Sequence, residues 1–342
     1  MQIKTDDALD AATSGALPTD RRESGGGPIA FAYDRQHLPL TLKTDESETV
    51  VEQGPTVWVQ AAADKVRPGD APPALPTTQA TLSAARNEFE NVQVVVTGPA
   101  AGVSASPAIL TGPGADIPLR LFRAAIVDLT QASGPDGATG KWADALIPAR
   151  DEFSAETRNA FPFTVPAGES WVIWCEVFVP AGQTPGQYAG SLTVAWEGTG
   201  ADDGHSQSGS SVAFSLEVHA FTLPAVATLK SQFGFGYADI IRGHGFAYGK
   251  KLSELREKYS VFALDHRVSL GGIDDGNLLN NFETVFNQSI GGTKAPIAPA
   301  TCPQLVGSRL TNLECPKGSE DACVSYATKH WGPGLGPLFD YT

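Results

Sequence analysis

The chain has 342 residues, 42% of them hydrophobic, and a formal net charge of −14. That length suggests two domains, and the apolar share is enough for packed cores. The acidity argues against a nucleic-acid partner, because phosphate contacts need a basic face. No run of about eighteen apolar residues occurs, so no membrane span is expected.

Residues 1–54 are rich in Asp, Ser, Thr and Gly, with Ser24-Gly25-Gly26-Gly27 at their centre. Apolar periodicity is weak there, which reads as a flexible leader. Met1 to Gly27 carries no apolar stretch of secretory type, so no signal peptide is visible.

From Thr56 the pattern becomes strand-like. Thr56 to Gln60, Gln79 to Ala84 and Val92 to Val96 are β-branched or alternating. Asn87 and Glu88, between the second and third of these, suit a corner where the chain changes sheets. Leu119 to Arg123, Ala125 to Leu129, Trp171 to Val179, Ser191 to Trp196 and Val212 to Val218 follow, each bounded by Gly, Pro or Ser. Short strands at this spacing, almost without helical period, predict an all-β sandwich over residues 55–223. Trp171 to Cys175 is apolar on both faces, as a central covered strand is. Gly198 to Ser211, containing His205, reads as a solvated hairpin loop.

After Pro224 the period changes. Leu229 to Phe235 reads as a strand, Lys250 to Asp265 as a helix, and His266 to Leu270 as a second strand. In the helix Leu252, Leu255, Tyr259, Phe262 and Ala263 recur at three- and four-residue steps and share a face. A strand–helix–strand unit implies a parallel crossover. The expected fold is therefore multi-domain: an all-β sandwich followed, over residues 224–342, by the first part of an α/β (β/α)8 barrel. A whole barrel takes roughly 250 residues, so less than half of one is present. Its open edge is expected to favour self-association.

Four cysteines are too few for a disulfide scaffold. Cys175 reads as a small buried hydrophobe. Cys302, Cys315 and Cys323 cluster in a loop-like region, where one disulfide in an oxidising compartment and free thiols both stay open. Their spacing does not match paired zinc knuckles. No metal or other cofactor is expected.

Several blocks together resemble one family. They include Val57-Trp58-Val59 leading to Lys65 through Asp70, Ala85-Arg86-Asn87-Glu88-Phe89-Glu90, and Asp144 through Pro148 with Asp151. Gln93-Val94-Val95, Phe161-Pro162, Val165 through Gly168, Gly186 through Gly190, Phe221-Thr222-Leu223-Pro224, His266 through Leu270 and Leu338 through Thr342 complete the set. This pattern resembles the family 123-like glycoside hydrolases, over about residues 55 to 342. The resemblance implies an N-terminal sandwich, a C-terminal barrel, and an oligosaccharide or glycoconjugate as partner. It also implies retaining β-N-acetylhexosaminidase chemistry through an adjacent Asp-Glu pair and the substrate's acetamido group. In relatives that pair follows the phrase Phe339-Asp340-Tyr341-Thr342. No position here matches it, so no catalytic residue is carried over, and the chain as it stands is expected to be inactive. The resemblance also points to a secreted or cell-envelope location.

Glycoside cleavage needs an acid for the leaving oxygen and a second group for the oxocarbenium carbon. Asp239 and Asp274-Asp275 lie near expected strand ends, with solvated loop acids as the alternative. Phe235, Tyr237, His244 and Asp274 are the candidate substrate-binding residues: the rings stack on a sugar's C–H face, and the imidazole and carboxylate bond its hydroxyls. His266 and Arg267 are placed at the opposite end, with Arg267 expected to pair with an acid. The competing functions are a non-catalytic glycan-binding or structural sandwich and one half of an assembled barrel.

Overall fold

A computed structural model of the chain describes residues 54–271, apart from 107, 136, 152–154, 199–206, 232, 235–236 and 246–249, with scattered positions between 304 and 339. Eleven strands come first: β1 (Thr56–Ala61), β2 (Gln79–Arg86), β3 (Glu88–Thr97), β4 (Ala100–Ser106), β5 (Ile109–Leu110), β6 (Ile117–Leu129), β7 (Gly140–Pro148), β8 (Phe163–Val165), β9 (Ser170–Val179), β10 (Gly186–Glu197) and β11 (Gln207–Thr222).

They form two sheets. One has the order β1-β3-β9-β6-β5, with β7 also paired to β6; the other runs β2-β11-β10-β4-β8. The alternation of apolar residues decides which face each strand turns inward. Val92, Val94 and Val96 of β3 lie opposite Cys175, Ile173 and Trp171 of β9, and all six are buried. Leu82 of β2 and Val212, Phe214, Leu216 and Val218 of β11 join the same apolar core from the other sheet. Each such side chain contributes about 1.5–3 kcal/mol when fully buried. Central β9 is buried on both faces over most of its length, as its continuous apolar run requires.

The corner at Asn87 is where the sequence places it. β2 belongs to one sheet and β3 to the other, and Asn87 between them has φ 66°. Asparagine tolerates this left-handed conformation better than other residues with a Cβ. At the far end of the core Tyr188 is fully buried. Its hydroxyl donates to the Thr184 carbonyl at 2.8 Å and accepts from Gln183 Nε2 at 2.9 Å. The stretch Gln207 to Ser211, expected in a loop, is instead the start of β11, paired along its length with β10. His205 lies outside the described residues.

Beyond β11 the expectation of a barrel is overturned. The described residues are mostly in strands, and the helices among them whose bounds are described are α1 (Tyr237–His244) and α2 (Lys250–Asp265). Two-residue strands accompany them: β12 (Phe233–Gly234) lies parallel to β13 (Leu270–Gly271), and β14 (Leu313–Glu314) lies parallel to β15 (Leu338–Phe339). The crossover exists in this minimal form, but among the described residues no closed or half-closed barrel stands around it. The physical reason is burial. Barrel strands turn bulky side chains into a packed interior, whereas Leu229 and Phe233 are 81% and 56% exposed. The predicted apolar face of α2 is also displaced. Val261, Ala263 and Leu264 are buried, while Phe262 is 53% exposed. The barrel edge expected to drive self-association does not form among the described residues. No helix among them is long and apolar enough to cross a membrane.

Candidate functional site

A connected set of polar side chains lies where the end of α2 meets the six-stranded sheet. α2 ends in a Schellman turn: Val268 N–H donates to the Ala263 carbonyl at 2.8 Å, and Arg267 N–H donates to the Leu264 carbonyl at 3.0 Å. Arg267 occupies the left-handed position of that turn, with φ 57°, where glycine is the usual residue. Its side chain explains its presence. Nε donates to the Pro224 carbonyl at 2.9 Å, and Nη2 donates to the Asn87 carbonyl at 2.5 Å. Asn87 Nδ2 in turn donates to the Leu223 carbonyl at 3.0 Å, and Leu223 N–H donates to the Arg86 carbonyl at 2.9 Å.

Three blocks far apart in sequence thus converge: Ala85 to Glu90, Phe221 to Pro224, and His266 to Leu270. Burial lowers the pKa of the Arg267 guanidinium, and the nearby Glu88 charge opposes that shift. The acid expected beside Arg267 is therefore present, but its hydrogen-bond partners are backbone carbonyls.

His266 extends the joint across the sheet. Its ring stacks on Phe89 with centroids 4.7 Å apart, and Nδ1 lies 2.9 Å from the Phe262 carbonyl, to which it donates. Nε2 is 3.9 Å from Glu176 Oε2, an ion-pair separation. Glu176 is buried and pairs with Arg120, its cross-strand neighbour on β6. Burial favours the neutral form of Glu176. The imidazole of His266 and the guanidinium of Arg120 together outweigh it and hold the carboxyl below its ordinary value. Burial likewise opposes charge on His266. Glu176, the Phe262 carbonyl and Asp265 outweigh it and raise the imidazole pKa.

Part of the set of candidate binding residues named from the sequence falls outside the described residues. Phe235 and Asp274 lie outside the described residues, as does Asp275. Tyr237 and Asp239 fall within the first turn of α1, not in a loop beyond a strand. His244 ends that helix, is exposed, and shares a 2.9 Å hydrogen bond with the Tyr259 hydroxyl. Sequence reasoning passed over Glu176 and Arg120. The signal of Glu176 was legible: it is a lone charge inside an otherwise apolar strand, and buried charges need partners. No three His, Cys, Asp or Glu side chains among the described residues gather closely enough to hold a metal ion.

The arrangement defines a two-sheet β protein with a helical segment pinned to one face. No family model matches the chain, and no curated protein matches it. Among solved structures it is distantly similar to a family 123 glycoside hydrolase from Clostridium perfringens, with 15% identity and a TM-score of 0.46. That match covers 60% of this chain and 36% of the enzyme, so the chain spans about a third of that enzyme's length. It is also similar to the PapD-like domain 7 of human CEP192, with 9% identity over 48% of this chain and 84% of that one, at a TM-score of 0.22. A β-glucosidase from Listeria innocua matches with 12% identity over 49% of this chain and 17% of that one, at 0.18. None of these likenesses is close enough to carry a conclusion about activity.

Proposed function

We propose that the chain is a glycoside-hydrolase-like protein whose two-sheet body recognises glycans and anchors the α1–α2 segment, and that it binds saccharides without cleaving them. The joint carries this reading. Three of the blocks on which the resemblance rests are brought into mutual contact through Asn87, Arg267 and Pro224. A set of motifs shared by chance would have no reason to meet.

No residue is assigned a catalytic role. The carboxylate at the centre of the joint, Glu176, is occupied by Arg120 and His266 and is buried, so it is not placed to protonate a leaving group. Its chemistry is that of a structural ion pair.

The test is to expose the whole chain to a glycan array and to assay it against aryl β-N-acetylgalactosaminide and β-N-acetylglucosaminide. Saturable binding with no turnover is expected. Clear turnover would overturn the non-catalytic assignment, and absence of both binding and turnover would overturn the glycan reading.

A further inference from the structure

The outer face of the second sheet carries a patch that the joint does not use. Glu217, His219 and Phe221 alternate along β11 and so project from the same face, away from the core that takes Leu216 and Val218. Ser83 of β2 is directly opposite Glu217 in the parallel register.

The side chains form one connected row. Ser83 Oγ and His219 Nε2 share a 2.7 Å hydrogen bond, and Glu217 Oε1 is 3.9 Å from His219 Nδ1. The Phe221 ring lies parallel to the imidazole, with centroids 5.6 Å apart and an interplanar angle of 12°. Phe221 is 58% exposed, so its ring face is open to solvent.

The row has the residue types of a serine nucleophile relay, but the geometry does not serve that chemistry. The carboxylate is beyond hydrogen-bond range of Nδ1, and Ser83 and Glu217 stand exposed on a strand surface. What it does offer is an apolar ring beside an imidazole, which is in turn hydrogen-bonded to a hydroxyl and lies 3.9 Å from a carboxylate.

From this geometry we infer that Phe221, His219, Glu217 and Ser83 form a saccharide-binding platform on the outer face of β11 and β2. A pyranose is the chemistry that matches both halves. Its axial C–H groups lie on the aromatic ring, and its equatorial hydroxyls or acetamido N–H reach the polar row. Glu217 accepts from such donors, and the Ser83–His219 pair offers both a donor and an acceptor. The hydrogen bond between Ser83 and His219 limits the rotation of both side chains, which reduces the ordering cost of binding.

The inference rests on the glycan reading above and names the surface that carries it. The experiment is calorimetric titration of the full chain with N,N′-diacetylchitobiose, N-acetylgalactosamine and cellobiose. It is done for the wild type and for Phe221→Ala, Phe221→Trp and Ser83→Ala. Phe221→Ala is expected to weaken binding about tenfold and Ser83→Ala about threefold, while Phe221→Trp retains it and gains a fluorescence change on titration. Because both sites are at the surface, melting temperatures should be unchanged and serve as the folding control.

Binding that survives Phe221→Ala undiminished would overturn this platform while leaving the glycan reading standing. No binding of any saccharide by the wild type would overturn both. Concentration-dependent dimerisation of the wild type, abolished by Phe221→Ala and without saccharide binding, would show the patch to be a contact between copies and would also overturn the inference.

Discussion

Arg267 and Asn87 are 180 residues apart, both hold the left-handed backbone conformation, and the guanidinium of one donates to the carbonyl of the other. Two residues with side chains in that conformation are uncommon, and each has a local cost of about 1 kcal/mol or more. Here they meet, and the contact offsets both costs.

That relationship predicts a distinctive mutational pattern. Asn87→Gly keeps the backbone conformation but loses the hydrogen bond to the Leu223 carbonyl, at a cost of about 1 kcal/mol. Asn87→Ala loses the bond and also places a Cβ in the left-handed region, at a cost of about 2 kcal/mol. Urea unfolding of the two variants should rank glycine above alanine. The reverse order would mean that the corner is not under conformational constraint.

The ion pair beside the joint gives the protein a pH optimum. The folded pKa of His266 is raised, so its contribution is full below its unfolded value near 6.5 and is lost as pH rises through the folded pKa. The folded pKa of Glu176 is lowered, so its contribution is present above its unfolded value near 4.5 and is lost as pH falls through the folded pKa. Together they favour mildly acidic pH. Thermal melts of the wild type should therefore show stability declining from about pH 6.5 upward. His266→Gln should flatten that decline. An identical pH profile in the variant would remove His266 from the account.

Cys175 lies in the core on β9, and burial pushes its thiol pKa far up. A neutral, inaccessible thiol is a poor nucleophile. Under native conditions a water-soluble disulfide reagent should therefore leave it unmodified for as long as the sheets remain folded, and denaturant should release it. Peptide mapping distinguishes it from the other three cysteines.

Much of the two-sheet body could be read from residue order, because β-branched runs such as Val92 to Val96 alternate between faces. β4 escaped notice because Ala100 to Ser106 is made of alanine, glycine and serine around one valine. Its pairing to β10 supplies the structure that its own propensity does not. β7 was missed because only Ala143 among its residues is buried, so no apolar alternation marks it.

The error over residues 224–342 has a different cause. The parallel contact of β12 with β13 is real, but a barrel requires strands long enough to bury a core, and these are two residues long. His266 and Arg267, read as the opening of a strand, belong to the turn that ends α2. Arginine in place of the usual glycine hid that turn. The joint itself was only half legible: the motifs stood out one by one, but nothing in their spacing says that they touch.

The central claim is that these motifs clamp α2 to the sheets through Arg267, and Arg267→Gly isolates it. Glycine suits the left-handed turn better than arginine, so the helix end is preserved while the bonds to Pro224 and Asn87 are removed. Amide hydrogen exchange should be compared between the variant and the wild type. The account predicts faster exchange around Asn87, Leu223 and the end of α2, with the strand cores of β3 and β9 unchanged. Unchanged or slower exchange at those three places would show that the arginine holds nothing together, and would contradict it.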